Sequence, residues 1–134
     1  MDEGANARAE LDIWKLIARH GRASDLHDAD MFADCFTEDG VFDRLGTTFK
    51  GRAAIRETLG GPGSFIGHHF TWLPDVRFTS DDTAVCTTYA QYIQWDKENG
   101  EVSQPFFVDY HDECRRTSEG WRFTKRCVKE SSRG

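Results

Sequence analysis

The chain has 134 residues, enough for one domain that hides about two-thirds of its unfolded surface. Ten Phe, four Trp and three Tyr rule out a disordered chain, even with 30% charged residues. The net charge of −6 speaks against a nucleic-acid or anionic-membrane partner, because neutralising phosphates takes a basic patch.

The first ten residues, MDEGANARAE, are polar and acidic, with neither a basic nor an apolar stretch, so no signal peptide is expected. No apolar run approaches the roughly 20 residues of a membrane helix. Ala5 to His20 reads as a helix, with Leu11, Trp14, Ile17 and Ala18 at helical spacing and Gly21 as its stop. A second helix is expected from Asp28 to Phe36, capped by Asp28 and with Ala29, Phe32, Ala33 and Phe36 on one face. Glu38 to Gly40 reads as a turn, Val41–Arg44 and Thr47–Lys50 as short strands, and Gly51–Leu59 as a third helix. Gly60–Ser64 reads as a loop and candidate lid.

The second half changes character. His68–Thr79 reads as a strand bent near Pro74, and Thr83–Asp96 as a long strand rich in Thr, Tyr, Ile and Trp. Asn99-Gly100 signals a hairpin, followed by strands over Val102–Arg116 and Trp121–Lys129. Helices first and antiparallel strands last imply one α+β domain over residues 1–134, with no internal repeat. The long strands carry large residues on both faces. Helices can cover one face; the other, with Phe70, Trp72 and Trp95, is expected to meet a second subunit in a homodimer or homotrimer. Trp14, Phe32, Phe36 and Trp121 are expected in the core, and His20 and His27 at helix ends.

Cys35, Cys86, Cys114 and Cys127 are widely spaced and form no CxxC pair, so neither a zinc knuckle nor a thioredoxin-like motif is indicated. Free thiols in a reducing cytoplasm are the simplest reading. No metal-ligand spacing, P-loop, GxGxxG or GxSxG motif stands out.

Three segments in order carry a resemblance: FADCFTEDGVFDRLGTTFKGRAAIRETL (residues 32–59), HHFTWLPDVRF (68–78) and DYHDECRRTSEGWRFTKRCV (109–128). Together they resemble the SnoaL-like branch of the nuclear transport factor 2-like superfamily. The resemblance implies helices packed on a strongly curved, mixed but mostly antiparallel sheet, a cystatin-like α+β barrel around a cone-shaped pocket. Within the superfamily the chain is similar to the scytalone dehydratase and dehydrochlorinase group, which implies a catalytic dyad of Asp25 and His69. Read from the residues alone, Asp25 serves equally as a helix cap and His69 as an ordinary sheet residue. His68 points to the opposite face from His69. The resemblance further places Arg44, Tyr92, Gln94, Val108 and Tyr110 in the substrate pocket. These five differ from the dehydratase's residues, which points away from that enzyme's own substrate. An Arg at position 44 also disfavours the ketosteroid isomerase reaction, which needs an Asp there.

The chemistry expected is cofactor-free proton abstraction from a small, largely apolar substrate with a carbonyl or hydroxyl group. A carboxylate fixes the imidazole tautomer and balances its charge as it takes a proton. Tyr92, Tyr110 or Arg44 is expected to stabilise the oxygen that gains charge. Asp112 shares a face with Tyr110 and is expected to pair with Arg44. A non-catalytic binding module with the same pocket is the alternative.

Overall fold

The computed structural model describes residues 1–59 and 65–131. The expected lid at 60–64 lies outside the described residues. Helix α1 spans Glu3–Asp25 and is capped by Asp2, whose carboxylate accepts the Ala5 N–H at 2.7 Å. Ala9, Ile13, Leu16, Ile17, His20 and Ala23 form its buried stripe. Gly21 does not stop this helix. A glycine inside a helix costs only about 1 kcal/mol relative to Ala, and the stripe continues past it to Ala23. The extra turn brings Asp25 onto the last residue of the helix.

Helix α2 spans Ala29–Asp34, and its cap is Asp28, which accepts the Met31 N–H at 3.0 Å. It ends before Phe36, because Phe36 opens strand β1 (Phe36–Arg44) opposite Phe123. The expected turn at Glu38–Gly40 is instead a bulge within β1, between Phe36 and Val41. A Cβ on Gly40 would lie 2.9 Å from the Phe36 Cβ and 3.0 Å from the Thr37 carbonyl, so only glycine fits. Leu45 and Gly46, both at positive φ, turn the chain tightly into β2 (Thr47–Lys50). The short helix α3 covers Arg52–Arg56.

The expected strand over 68–79 is two strands, β3 (Phe65–Thr71) and β4 (Asp75–Phe78), which both pair with β5 (Thr83–Asp96). Pro74, which has no N–H to give a ladder, lies in the break between them. Strand β6 (Phe106–Thr117) starts later than expected, just after Pro105, and Val102 makes only an isolated bridge to Trp95. Strand β7 is Gly120–Glu130.

The strand order is β2-β1-β7-β6-β5-β3, with β4 also on β5. Among the described strands only β1 and β7 run parallel. This is the expected mixed, mostly antiparallel α+β arrangement, although the sheet curls without closing into a barrel. Its inner face carries Ala84, Cys86, Thr88 and Ala90 from β5, all buried. Phe32, Phe36, Phe42, Phe123 and Trp121 complete the core with Ile13 and Ile17, while Trp14 is half-buried. The outer face leaves Phe70, Trp72, Tyr89 and Phe107 about half exposed or more (49%, 53%, 62% and 50%).

Candidate active site

The curl of the sheet and the C-terminal half of α1 enclose a cavity of about 340 Å³. Phe32, Phe42, Leu59, Phe106, Val108 and Val128 give it apolar walls. Ser24, Arg44, Tyr92, Gln94 and Tyr110 add polar groups, and His20, His27 and His69 also line it. A cavity with apolar walls and several convergent polar groups suits a small polar organic molecule.

Asp25 and His69, 44 positions apart in the chain, meet where α1 ends against β3. The His69 ring Nδ1 lies 2.6 Å from the Asp25 carboxylate. The His69 backbone N–H also donates to both carboxylate oxygens, at 3.2 and 3.1 Å. Asp25 therefore fixes both the strand position and the ring. A carboxylate can only accept, so Nδ1 carries the proton, and in the neutral ring Nε2 then has the lone pair. Asp25 itself sits behind His69, in a shallower groove with Gly21, Arg22 and His68, and does not line the main cavity. His68 faces the opposite way and packs edge-on against Trp95, with ring centroids 5.0 Å apart.

Tyr92 is opposite His69 in the β3–β5 ladder, with ring centroids 4.6 Å apart. Its phenol lies across Gly67, where an added Cβ would come within 1.9 Å of the Tyr92 oxygen. Burial, helped by the charge of Asp25 and opposed by Arg44, raises the Tyr92 pKa. Burial also raises that of Tyr110, against the nearby Arg126. Both phenols are thus held as hydrogen-bond donors. Arg44 ends β1 exposed at the cavity rim, and Gln94 and Val108 lie on the walls. All seven residues expected at the site therefore gather around one cavity, Asp25 from behind.

The sequence reading missed a second group. His20 is not a helix-end residue; it is 3% exposed and packed among Phe32, Phe36, Phe42 and Phe123. Its Nδ1 lies 2.8 Å from Nη1 of the buried Arg126. Arginine can only donate, so His20 accepts at Nδ1 and carries its proton on Nε2. That nitrogen is buried without a partner among the described residues. Burial first, then the charges of Arg126 and His69, hold the His20 pKa well below its usual value, so the ring is neutral.

Arg126 also corrects the expected pairing of Asp112. The Asp112 carboxylate lies 3.1 Å from Arg126 Nε, not beside Arg44, and both side chains are almost fully buried. The contact is an ion pair by distance, but the Nε–H is not aligned on the oxygen, and both atoms lack a well-formed hydrogen bond. Burial raises the Asp112 pKa to about 6, against the pull of Arg126. The guanidinium also stacks on Tyr110, 3.8 Å from the ring centroid. Helical spacing from Ile13 through Ile17 to His20 was the signal for His20. Arg126 carried no such signal. The β6–β7 register slips at Thr124, so alternation counted from Trp121 and Phe123 puts Arg126 on the wrong face.

A SnoaL-like domain model matches residues 5–127. No curated protein matches the chain significantly. Among solved structures, the chain is 26% identical to an NTF2-like protein with a cystatin-like fold from Novosphingobium aromaticivorans, covering 96% of this chain and 85% of that one, with a TM-score of 0.82. A protein of the same organism, provisionally described as a scytalone dehydratase, is 19% identical over 98% of this chain and 89% of its own, with a TM-score of 0.87. ActVI-ORFA from Streptomyces coelicolor is 19% identical over 90% and 96%, with a TM-score of 0.80. At these identities the last two share the fold. The match to nearly the whole chain, with the curled sheet and its cavity, means that this protein belongs to the SnoaL-like domain family, on an NTF2-like, cystatin-like fold.

Proposed function

We propose that the protein is a cofactor-independent enzyme in which His69 removes a proton from carbon beside a carbonyl group. The observation that carries this reading is the Asp25–His69 pair at 2.6 Å, its ring set at the wall of a cavity lined by both apolar and polar side chains. In the step, the C–H bond breaks and the proton goes to Nε2 of His69. The electron pair moves into the adjacent carbonyl as an enolate, and Asp25 stabilises the imidazolium that forms. General-base help of this kind contributes roughly 10²–10⁴-fold. Tyr92, Tyr110 and Arg44 supply donors or charge for the enolate oxygen, while Gln94 and Val108 shape the wall. Elimination, isomerisation and aldol-type cyclisation share this step, and elimination is favoured by the likeness to the dehydratase group.

The outer sheet face supports self-association. Phe70, Trp72, Tyr89 and Phe107 form an exposed aromatic surface that a second copy would cover, giving a homodimer or homotrimer. No helix among the described residues is long and apolar enough to cross a membrane. Four unpaired cysteines suit a reducing cytoplasm.

The test is deuterium exchange at the carbon next to the carbonyl of 1-tetralone, a bicyclic aryl ketone, in heavy water. Exchange catalysed by the native protein and lost in His69→Gln supports the reading. Tetralone binding with no catalysed exchange would make the protein a binding module.

A further inference from the structure

One cation stands at the rim of the cavity without a counter-charge. Among the described residues no Asp, Glu or Lys lines the cavity, and Arg44 is its one permanently charged side chain. Arg44 also has no acidic side chain within ion-pair distance among the described residues. Asp43, its neighbour in sequence, is taken up by the turn, where it accepts the Gly46 N–H at 3.2 Å. The backbone of Arg44 is pinned on both sides, opposite Thr47 on β2 and Val128 on β7, and Val128 itself lines the cavity. Leu45, the next residue, is held at φ 51, a conformation that a bulky side chain rarely adopts, and it lines the cavity too. Burial raises the pKa values of Tyr92 and Tyr110, and the Arg44 charge works against the rise at both, so that charge is felt inside the cavity.

We infer that the substrate is an acid whose carboxylate Arg44 takes at the cavity rim, at the end remote from the carbon that His69 deprotonates. The inference rests on the proposed function only for the reacting end of the molecule. A guanidinium presents parallel N–H donors that match the two oxygens of a carboxylate. One arginine balances the single charge of that group, whereas a phosphate ester carries nearly two. The chain as a whole is acidic, at −6, so an anion gains from a local cation at the rim. Arg44 and His69 stand on β1 and β3, four steps apart in the strand order, and meet one cavity only because the sheet curls. A molecule that touches both therefore spans the cavity, with its acid and its reacting carbon at opposite ends. With Arg44 given to the acid, Tyr92 and Tyr110 remain as donors for the enolate oxygen.

The test measures binding of 1-tetralone-6-carboxylate against 1-tetralone-6-carboxamide, which has nearly the same shape and no charge. The native protein is expected to bind the carboxylate about tenfold more tightly, the low end for a hydrogen bond to a charged group, because the rim is open to water. Added salt should shrink that preference. Arg44→Gln is expected to lose it while still binding the carboxamide. Arg44→Lys keeps the charge without the fork and should retain only part of it. Arg44 is exposed at the end of its strand, so both variants should unfold close to the native temperature, and a lost preference then reads the charge and not the fold. Binding is read without turnover, so a bound carboxylate that shows no hydrogen exchange would end the reading of His69 as base and leave this inference standing. Equal affinity for the two ligands in the native protein overturns it. So does a preference that survives in Arg44→Gln, or the failure of both ligands to bind at millimolar concentration.

Discussion

His20 and His69 line one cavity in opposite tautomers, because one is held by an arginine and the other by a carboxylate. The Asp25 carboxylate fixes the His69 ring with its proton on Nδ1. Replacing Asp25 with Asn should disturb this, since an amide can donate to Nδ1 and reverse the His69 tautomer. The expected result is a loss of about 10²-fold or more in tetralone exchange, comparable to the loss of general-base help. Tetralone affinity should change little. A variant that keeps full exchange would remove Asp25 from the mechanism.

The Asp112–Arg126 pair is buried and imperfectly aligned. Such a pair contributes little net stability, yet removing one partner leaves the other charge stranded. Asp112→Ala should therefore destabilise the fold by about 3–5 kcal/mol. The double variant Asp112→Leu with Arg126→Met should recover most of that loss. Urea unfolding of the three proteins checks both values. Only the double variant would also lose the acceptor-fixing partner of His20.

Gly67 makes room for the Tyr92 ring beside His69. A methyl group there would overlap the Tyr92 phenol at 1.9 Å from its oxygen and 2.3 Å from the adjoining ring carbon. Gly67→Ala should push the ring out of its seat beside His69 and cost about 1–3 kcal/mol, as overpacking does. Thermal unfolding gives the stability change, and a crystal structure of the variant would show the displaced ring.

Acid stability follows from His20. Its folded-state pKa lies well below the unfolded value of 6.5, chiefly through burial. As pH falls below about 6.5, the unfolded chain takes up a proton that the folded ring refuses, so native stability is lost by about 1.4 kcal/mol per pH unit. Asp112 acts with the opposite sign. Its folded pKa of about 6 lies above the unfolded 3.8, so its contribution is present at low pH and is lost as pH rises through about 6. Comparing native protein with His20→Gln isolates the histidine. The variant should gain stability relative to native as pH drops below about 6.5, read from urea midpoints across pH. A difference that does not vary with pH would mean that the folded ring titrates like the unfolded one.

The exposed aromatic face predicts self-association. Changing Trp72 and Tyr89 together to Lys should shift the protein from dimer or trimer to monomer in sedimentation equilibrium. It should leave the cavity intact, because both side chains are on the outer face. A native protein that sediments as a monomer at all concentrations would leave that face without a partner copy.

Much of this was legible in the sequence. The Thr83–Asp96 strand and the Thr47–Lys50 strand were found to the residue, because β-branched and aromatic runs with clear turns bound them. Asp25, His69 and the five pocket residues came through the family resemblance, and strand alternation correctly separated His69 from His68. The errors had local causes. Gly21 and Gly40 look like breaks but were absorbed, one by a continuing buried stripe and one by a bulge. The buried Arg126 was hidden by the register slip at Thr124, and with it the true partner of Asp112. His20 was hidden because a lone histidine near a glycine reads as a helix end until its packing is known.

The most direct measurement is the long-range ¹H–¹⁵N spectrum of the native protein's histidines, recorded in mildly alkaline solution where the imidazoles are neutral. His69 should be protonated at Nδ1 with a bare Nε2, and His20 at Nε2 with a bare Nδ1. If His69 instead carries its proton on Nε2, the proposed base has no lone pair free on that nitrogen, and the proposed mechanism loses its geometric footing.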